Sequence, residues 1–436
     1  MFQTIQNAFK TKEVRMKLLY VLFALIVVRI GCNIPIPGVN GSVMQEMFNN
    51  NKSLGFLDVM TGGSFSRMSI FALNITPYIT ASIILQLLTI AIPRLEELQK
   101  DGEDGRKKIN EYTRYLSIVL AVIEGLAMVI GFRNQNIFKE SGYVSMIVAV
   151  VSLTAGAAFL MWLGEQITVK GVGNGISIIL LINIVARIPS DLAGLYNTYI
   201  KGASNITNAL IAGVIIVAVI VAMYVFIVFL QDGERRIPVQ YAKKIQGRKT
   251  VGGQSSCIPL KVNTSGVIPI IFASSLMQLP VVICSFFGIQ GTGFWGHVLR
   301  GLSSSNWCNP KEPVYSIGLV VYIALVIFFA YFYTSITFNP LEIADNMKKS
   351  GGFIPGIRPG KPTSDYLTKI LNYIVFIGAI GLTIVCVIPF IFNGVFGAQV
   401  SFGGTSLIII VSVILETMKQ VESQMLVRNY KGFLND

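Results

Sequence analysis

Long apolar runs recur along the whole chain, and nothing else in it constrains the fold so tightly. A helix needs about 20 residues to cross the hydrocarbon core of a bilayer, where every backbone polar group must be satisfied within the segment. Set against Gly, Pro and charged breakers, the runs give spans near 18–32, 75–92, 112–131, 144–163, 174–189, 209–230, 266–288, 314–336, 370–391 and 403–418. Charged residues make up only 13% of the chain, against about 25% in soluble domains. The 436 residues are therefore expected to form one all-α integral membrane domain with ten transmembrane helices, not several soluble domains.

The net charge is +13, and the position of the basic residues decides what it means. With residues 1–17 taken as cytoplasmic, the segments on that side hold 26 of the 35 Lys and Arg. The opposite loops hold 8, with Arg114 and Arg187 counted with the loops they adjoin, and Arg29 lies inside the first span. This inside-positive bias predicts that both termini face the cytoplasm. Residues 1–17 do not have the form of a secretory signal, because Lys10, Lys12, Arg15 and Lys17 separate Phe2, Ile5 and Phe9 from the apolar run. An amphipathic surface helix is expected there.

Several segments depart from plain spanning helices. Leu54 to Ser69 is moderately apolar but short, and Gly62 with Gly63 interrupts it. It fits either an external loop or a re-entrant half-helix, and irregular backbone at membrane depth requires surrounding protein or a water-filled cavity. Pro77, Pro269 and Pro280, and the glycine-rich stretch Gly171 to Gly175, predict kinked or broken helices. Ten spans divide into five and five, and an odd number per half inverts the second half relative to the first.

Chemistry is sparse. The single histidine, His297, falls in an external loop, which excludes H-E-x-x-H and His-based triads; nucleotide-binding and nucleophile-elbow motifs are also missing. Cys32, Cys257, Cys284, Cys308 and Cys386 are scattered without metal-ligand spacing, so neither a metal nor a cofactor is expected. Glu124 and Glu416 are carboxylates in or near the membrane, read as hydrated or interfacial groups in preference to a proton relay.

The cytoplasmic loops are richer. Between spans 6 and 7 lie Arg235, Arg236, Lys243, Lys244, Arg248 and Lys249, on a stretch whose "RRIPVQYA" and "CIPLKV" predict a projecting β-hairpin. Between spans 8 and 9, Lys348 and Lys349 precede a tip that holds Arg358 among Pro355, Pro359 and Pro362. Inside-positive loops are commonly no more than solvated segments, but two long basic loops on one face are expected to form a docking platform for a negatively charged assembly.

In "RIGCNIPIPGVN" (29–40), "SRMSIFALNITPYITASIILQLLTI" (66–90), "GRKKINEYTRY" (105–115) and "GVGNGISIIL" (171–180), the chain resembles the SecY family of protein-conducting channels. The resemblance continues in family order through "RRIPVQYAKK", "PLKVNTSGVIPIIFASS", "FNPLEIADNMKKSGGFIPGIRPG" and "FGGTSLIIIV", and so covers essentially the whole chain. Asn74 stands where the family more commonly has glycine, and Glu124 where it has glutamine.

The resemblance implies two inverted five-helix halves around a central hourglass pore, roughly 18–190 and 191–421, between the N-terminal segment 1–17 and a cytoplasmic tail 422–436. It implies a pore ring of Ile75, Ile79, Ile176, Leu180, Ile271 and Ile409. Branched apolar side chains in a constriction gate ions by dewetting. It further implies a plug half-helix at about 54–67, with Leu57, Met60, Gly62, Gly63, Phe65 and Arg67, and a lateral gate toward lipid edged by Thr80, Gln86, Glu124 and Leu279. The basic loops 231–262 and 338–369 would receive the SecA motor ATPase or ribosomal RNA. SecE-like and SecG-like small subunits, signal sequences, nascent polypeptides and membrane lipid complete the partners. The implied activity is passive passage of unfolded secretory polypeptides across the bacterial plasma membrane, with sideways release of transmembrane segments and no enzymatic step. A secondary transporter built on inverted repeats is the alternative, although it would place polar groups at the midplane where this ring is aliphatic. A membrane hydrolase lacks its nucleophile or metal.

Overall fold

A computed structural model describes residues 9–433 apart from 42, 45–57, 59–60, 134–136, 139–141, 202–205, 242–243, 247–248, 252–254, 287–292, 304–306, 309–311 and 397–403. Each expected span coincides with a helix. In chain order these are α1 (Lys12–Gly31), α2 (Thr76–Ala91), the short α3 (Pro93–Lys100), α4 (Glu103–Arg133), α5 (Tyr143–Lys170), α6 (Gly175–Leu195) and α7 (Ile206–Asp232). After the hairpin come α8 (Ile268–Phe286), α9 (Phe294–Leu302), α10 (Ile317–Thr337), α11 (Pro340–Lys349), α12 (Lys361–Phe396) and α13 (Gly404–Phe433). Among the described residues, α4, α5, α6, α7, α10 and α12 are long and apolar enough to cross a membrane by length and composition. The pair α2 and α3, bent by 108° where Pro93 opens α3, makes a seventh. The remaining three expected spans are α1, α8 and α13, whose charged ends or short apolar stretches weaken the same signal.

The chain divides into two compact units: Met1–Ala193 with Val281–Gly296 and Val413–Asp436, and Gly194–Pro280 with His297–Ser412. The first unit has a core between α4, α5 and the segment leading into α2, where Met68, Leu153 and Ile137 are fully enclosed beside Phe65, Met128 and Phe132. Helices approach closely where side chains are missing. A Cβ on Gly156 would sit 2.1 Å from the Ile70 carbonyl oxygen, so only glycine lets that segment lie against α5.

In the second unit β1 (Glu234–Tyr241) pairs antiparallel with β4 (Ser255–Lys261), which is the hairpin its sequence predicts. A small second ladder, β2 (Lys244–Gln246) with β3 (Lys249–Val251), lies toward its tip. The other edge of β1 pairs with β5 (Gly352–Phe353), giving a three-stranded sheet in the order β4-β1-β5. Ile237 and Val239 alternate inward on β1 and pack with Leu260, Met347, Ile354, Leu367 and Ile370. The two long loops thus share one core at the foot of α12.

The helices differ from expectation at two prolines. Pro77 and Pro269 fall in the first turns of α2 and α8, where a missing N–H costs nothing, so neither kinks its helix. Pro280 does lie inside α8, and Pro189 and Pro389 lie inside α6 and α12.

Candidate functional site

The segment that precedes α2 is held by short-range hydrogen bonds. The Asp58 carbonyl oxygen accepts from the Gly63 N–H at 2.9 Å, and the Asp58 Oδ1 accepts from the Ser66 N–H at 2.8 Å. From Thr61 to Ile75 the chain runs in turns, with Ser69 bridged to Pro35, so any half-helix over 54–67 ends before Thr61; Asp58 is helical, and 54–57 and 59–60 lie outside the described residues. The reason lies at Gly62 and Gly63, whose φ values of 66° and 84° are in the left-handed region and cannot continue a right-handed helix. Of the residues assigned to the plug, Leu57 and Met60 lie outside the described residues. Phe65 is buried edge-on to Phe132, and Arg67 donates from Nη1 to the Asn33 Oδ1.

The segment ends at Asn74, which has φ 52°. Asparagine is the residue after glycine that tolerates this conformation, which explains why it stands at a position the resembling family more often fills with glycine. Its Oδ1 accepts from the Asn183 Nδ2 at 3.0 Å, and both side chains are buried. Ile75 is the N-cap residue of α2 and is 1% exposed. Ile79 follows one turn later, its N–H donating to the Ile75 carbonyl at 3.1 Å. Thr80 donates its hydroxyl to the Thr76 carbonyl at 3.0 Å, which satisfies it within its own helix, while Gln86 is exposed.

Helix α6 is started with unusual care. Asn174 caps it, its Oδ1 accepting from the Ile176 and Ser177 N–H groups at 3.1 and 3.4 Å. The Gly175 N–H donates to the Thr168 Oγ1 and the Gly173 N–H to the Gln420 Oε1, both at 2.9 Å. A Cβ on Gly175 would stand 1.9 Å from the Gly164 carbonyl oxygen, so α5 and α6 touch backbone to backbone there. Ile176 and Leu180 are thereby fixed on one face of α6, both half-buried.

In the first unit, then, lie Ile75 and Ile79 on α2, Ile176 and Leu180 on α6, and Glu124 half-buried on α4. In the second lie Ile271, half-buried on α8, Leu279 on the same helix, and Ile409, 4% exposed on α13. Arg187 was expected at the end of a span closing near 189; α6 instead continues through Pro189 to Leu195, and Arg187 forms an ion pair with Asp58. Sequence reasoning missed Asp58, Asn183 and Arg187. The one available signal was that Asp58 is the only acidic residue between 54 and 69.

The basic face is built from the sheet. Arg235 and Arg236 are exposed on β1, and Arg236 binds the Glu234 carboxylate through Nε at 2.7 Å, which raises the guanidinium pKa further. With Arg236 largely exposed, such a pair adds little stability but takes up part of its charge. Lys244 and Lys249 lie on β2 and β3, while Lys243 and Arg248 lie outside the described residues. Asn339 caps α11 through the Leu341 and Glu342 N–H groups at 3.2 and 3.4 Å; Lys348 and Lys349 close its last turn, where the helix dipole favours cations. Arg358 is exposed in a tip turned by Gly356 and Gly360, at φ 83° and 101°, and its carbonyl accepts from the Thr363 hydroxyl at 2.8 Å.

The SecY family model matches residues 69–418. The protein translocase subunit SecY of Streptomyces scabiei is 45% identical over 450 aligned residues, covering 100% of each chain. The chain belongs to the SecY family. In fold it is similar to a SecY channel whose plug domain is described as stabilising the closed state and maintaining a membrane seal, at 20% identity and TM-score 0.67, over 95% of this chain and 93% of that one. It is also similar to Sec61 in the canine ribosome-channel complex, at 19% identity and TM-score 0.62, with the same coverage.

Proposed function

We propose that this SecY-family chain is the pore subunit of a protein translocase, conducting unfolded polypeptides across the bacterial plasma membrane and releasing apolar segments sideways into lipid. The observation that carries it is the end-to-end 45% identity with a protein translocase subunit. On this proposal Ile75, Ile79, Ile176, Leu180, Ile271 and Ile409 form the constriction, whose aliphatic surface repels water and ions when empty. Supporting it, Ile75 with Ile79, and Ile176 with Leu180, each share a helix face. The segment up to Arg67 acts as the plug, and Thr80, Gln86, Glu124 and Leu279 edge the lateral gate.

The chain does no chemical work. The free energy comes from a SecA-type motor or a translating ribosome bound to the basic cytoplasmic loops, and the kinship in fold with a ribosome-bound channel supports the second partner. Small SecE-like and SecG-like subunits accompany it, and both termini face the cytoplasm. The test is reconstitution of the complex into vesicles with the motor, ATP and an unfolded secretory precursor. The precursor should become protected from added protease, and protection no greater than in vesicles without the complex would refute the proposal.

A further inference from the structure

Arg187 is an ionisable residue inside an apolar helix, where an unpaired charge is expensive and a paired one marks function. Its partner is Asp58, whose Oδ2 accepts from the Arg187 Nη1. The Asp58 side chain is 5% exposed and that of Arg187 27%. The other oxygen of Asp58 holds the Ser66 N–H at 2.8 Å, so one carboxylate both shapes the turn and grips α6. One helical turn earlier on α6, Asn183 holds Asn74 through its side chain, and its carbonyl oxygen lies 2.8 Å from where a Cβ on Gly62 would stand. Ile176, Leu180, Asn183 and Arg187 fall within an arc of about 60° at 100° per residue. The helix face that carries two apolar ring candidates therefore continues into two polar residues that hold Asp58 and Asn74.

We propose that the Asp58–Arg187 pair is a specificity-determining latch, which keeps the plug segment seated on α6 and sets how strong a signal sequence must be to open the channel. This rests on the translocase function proposed above and on the plug assignment. A signal that shifts the channel from closed to open has to supply the difference in free energy between the two states. Breaking a buried pair by removing one partner leaves an uncompensated charge, which is costlier than losing both together. The latch therefore makes the closed state cooperative across two segments that are 129 residues apart.

The test uses the complex purified with its small subunits and reconstituted in vesicles. Asp58→Asn keeps an oxygen for the Ser66 N–H but loses the charge, and Arg187→Gln loses the guanidinium. Each single variant should raise resting ion conductance about tenfold or more and let a precursor with a weakened signal pass, while the double variant leaks less than the product of the singles. Arg187→Lys, which retains the cation, should leak less than Arg187→Gln. Equal leak from Lys and Gln, or parental conductance in both single variants, would overturn the latch. Should the variants misfold, carbodiimide labelling of the unaltered complex gives the answer. Asp58 should be protected at rest and labelled when a precursor is engaged, with Asp104, whose side chain is 90% exposed, as the reference. Labelling of Asp58 at rest to the extent of Asp104 would overturn the latch. Failure of the translocase function itself reads differently, as absence of precursor import by the unaltered complex.

Discussion

Replacing Asn74 separates two energetic roles that the structure combines in one residue. Its φ of 52° would cost an ordinary L-residue roughly 1–2 kcal/mol. Its Oδ1 also satisfies the buried Asn183 amide at 3.0 Å, and leaving such a donor unpaired costs about 1–3 kcal/mol. Asn74→Gly removes the hydrogen bond and relieves the backbone, so it should destabilise by about 1–3 kcal/mol. Asn74→Ala loses the bond and keeps an unfavourable backbone, for a total of about 2–5 kcal/mol. The order of stability should be parent, then Gly, then Ala. Asn183→Ala should be costly alone, and Asn74→Gly with Asn183→Ala should cost less than the sum, because the same bond cannot be lost twice. Thermal unfolding of the purified complex in detergent gives the order, and resting conductance after reconstitution gives the consequence for the seal. An Ala variant as stable as the Gly variant would refute the backbone argument, and strict additivity in the double variant would refute the hydrogen bond.

Ile271→Asn combined with Ile409→Asn places hydrogen-bonding groups in the proposed constriction, so ion leak should rise in single-channel recordings; Ile216→Asn in α7 serves as the control, and a double variant as tight as the parent would remove both residues from the ring. Arg358→Glu should sharply reduce motor-driven transport while leaving the fold intact, because an exposed tip contributes little to stability; normal transport at limiting motor would refute its docking role. Ile354→Ala, at a residue 3% exposed, should loosen the 352–360 segment by about 2–5 kcal/mol locally, and hydrogen exchange that stays as slow as in the parent would show that the shared core does not hold the tip.

The ten helices were legible because a bilayer dictates their length and composition, and the hairpin because "RRIPVQYA" and "CIPLKV" carry strand-forming sequence on either side of a glycine-rich stretch. Helix ends were less so. Pro189 looks like a stop, yet α6 passes through it to Leu195. Gly62 and Gly63 announced a break, but not that turns replace a helix from Thr61 onward. Asp58 stands out in the sequence as the lone acidic residue of its segment, but its pairing with Arg187 does not, because chain separation carries no information about contact. Asn74 was noticed as a departure from its resembling family, and its backbone angle supplied the reason.

The sheet that joins the two basic loops has a mechanical consequence. β1 grows directly out of α7, β4 leads back toward α8, and β5 is tethered between α11 and α12. A partner that pushes or pulls along the hairpin loads the backbones of β1 and β4 side by side, and the seven residue pairs from Glu234–Lys261 to Gln240–Ser255 brace the two strands against bending. Force applied at the tip therefore reaches the ends of α7 and α8 together, and those of α11 and α12 through β5, so that the hairpin behaves as a stiff lever.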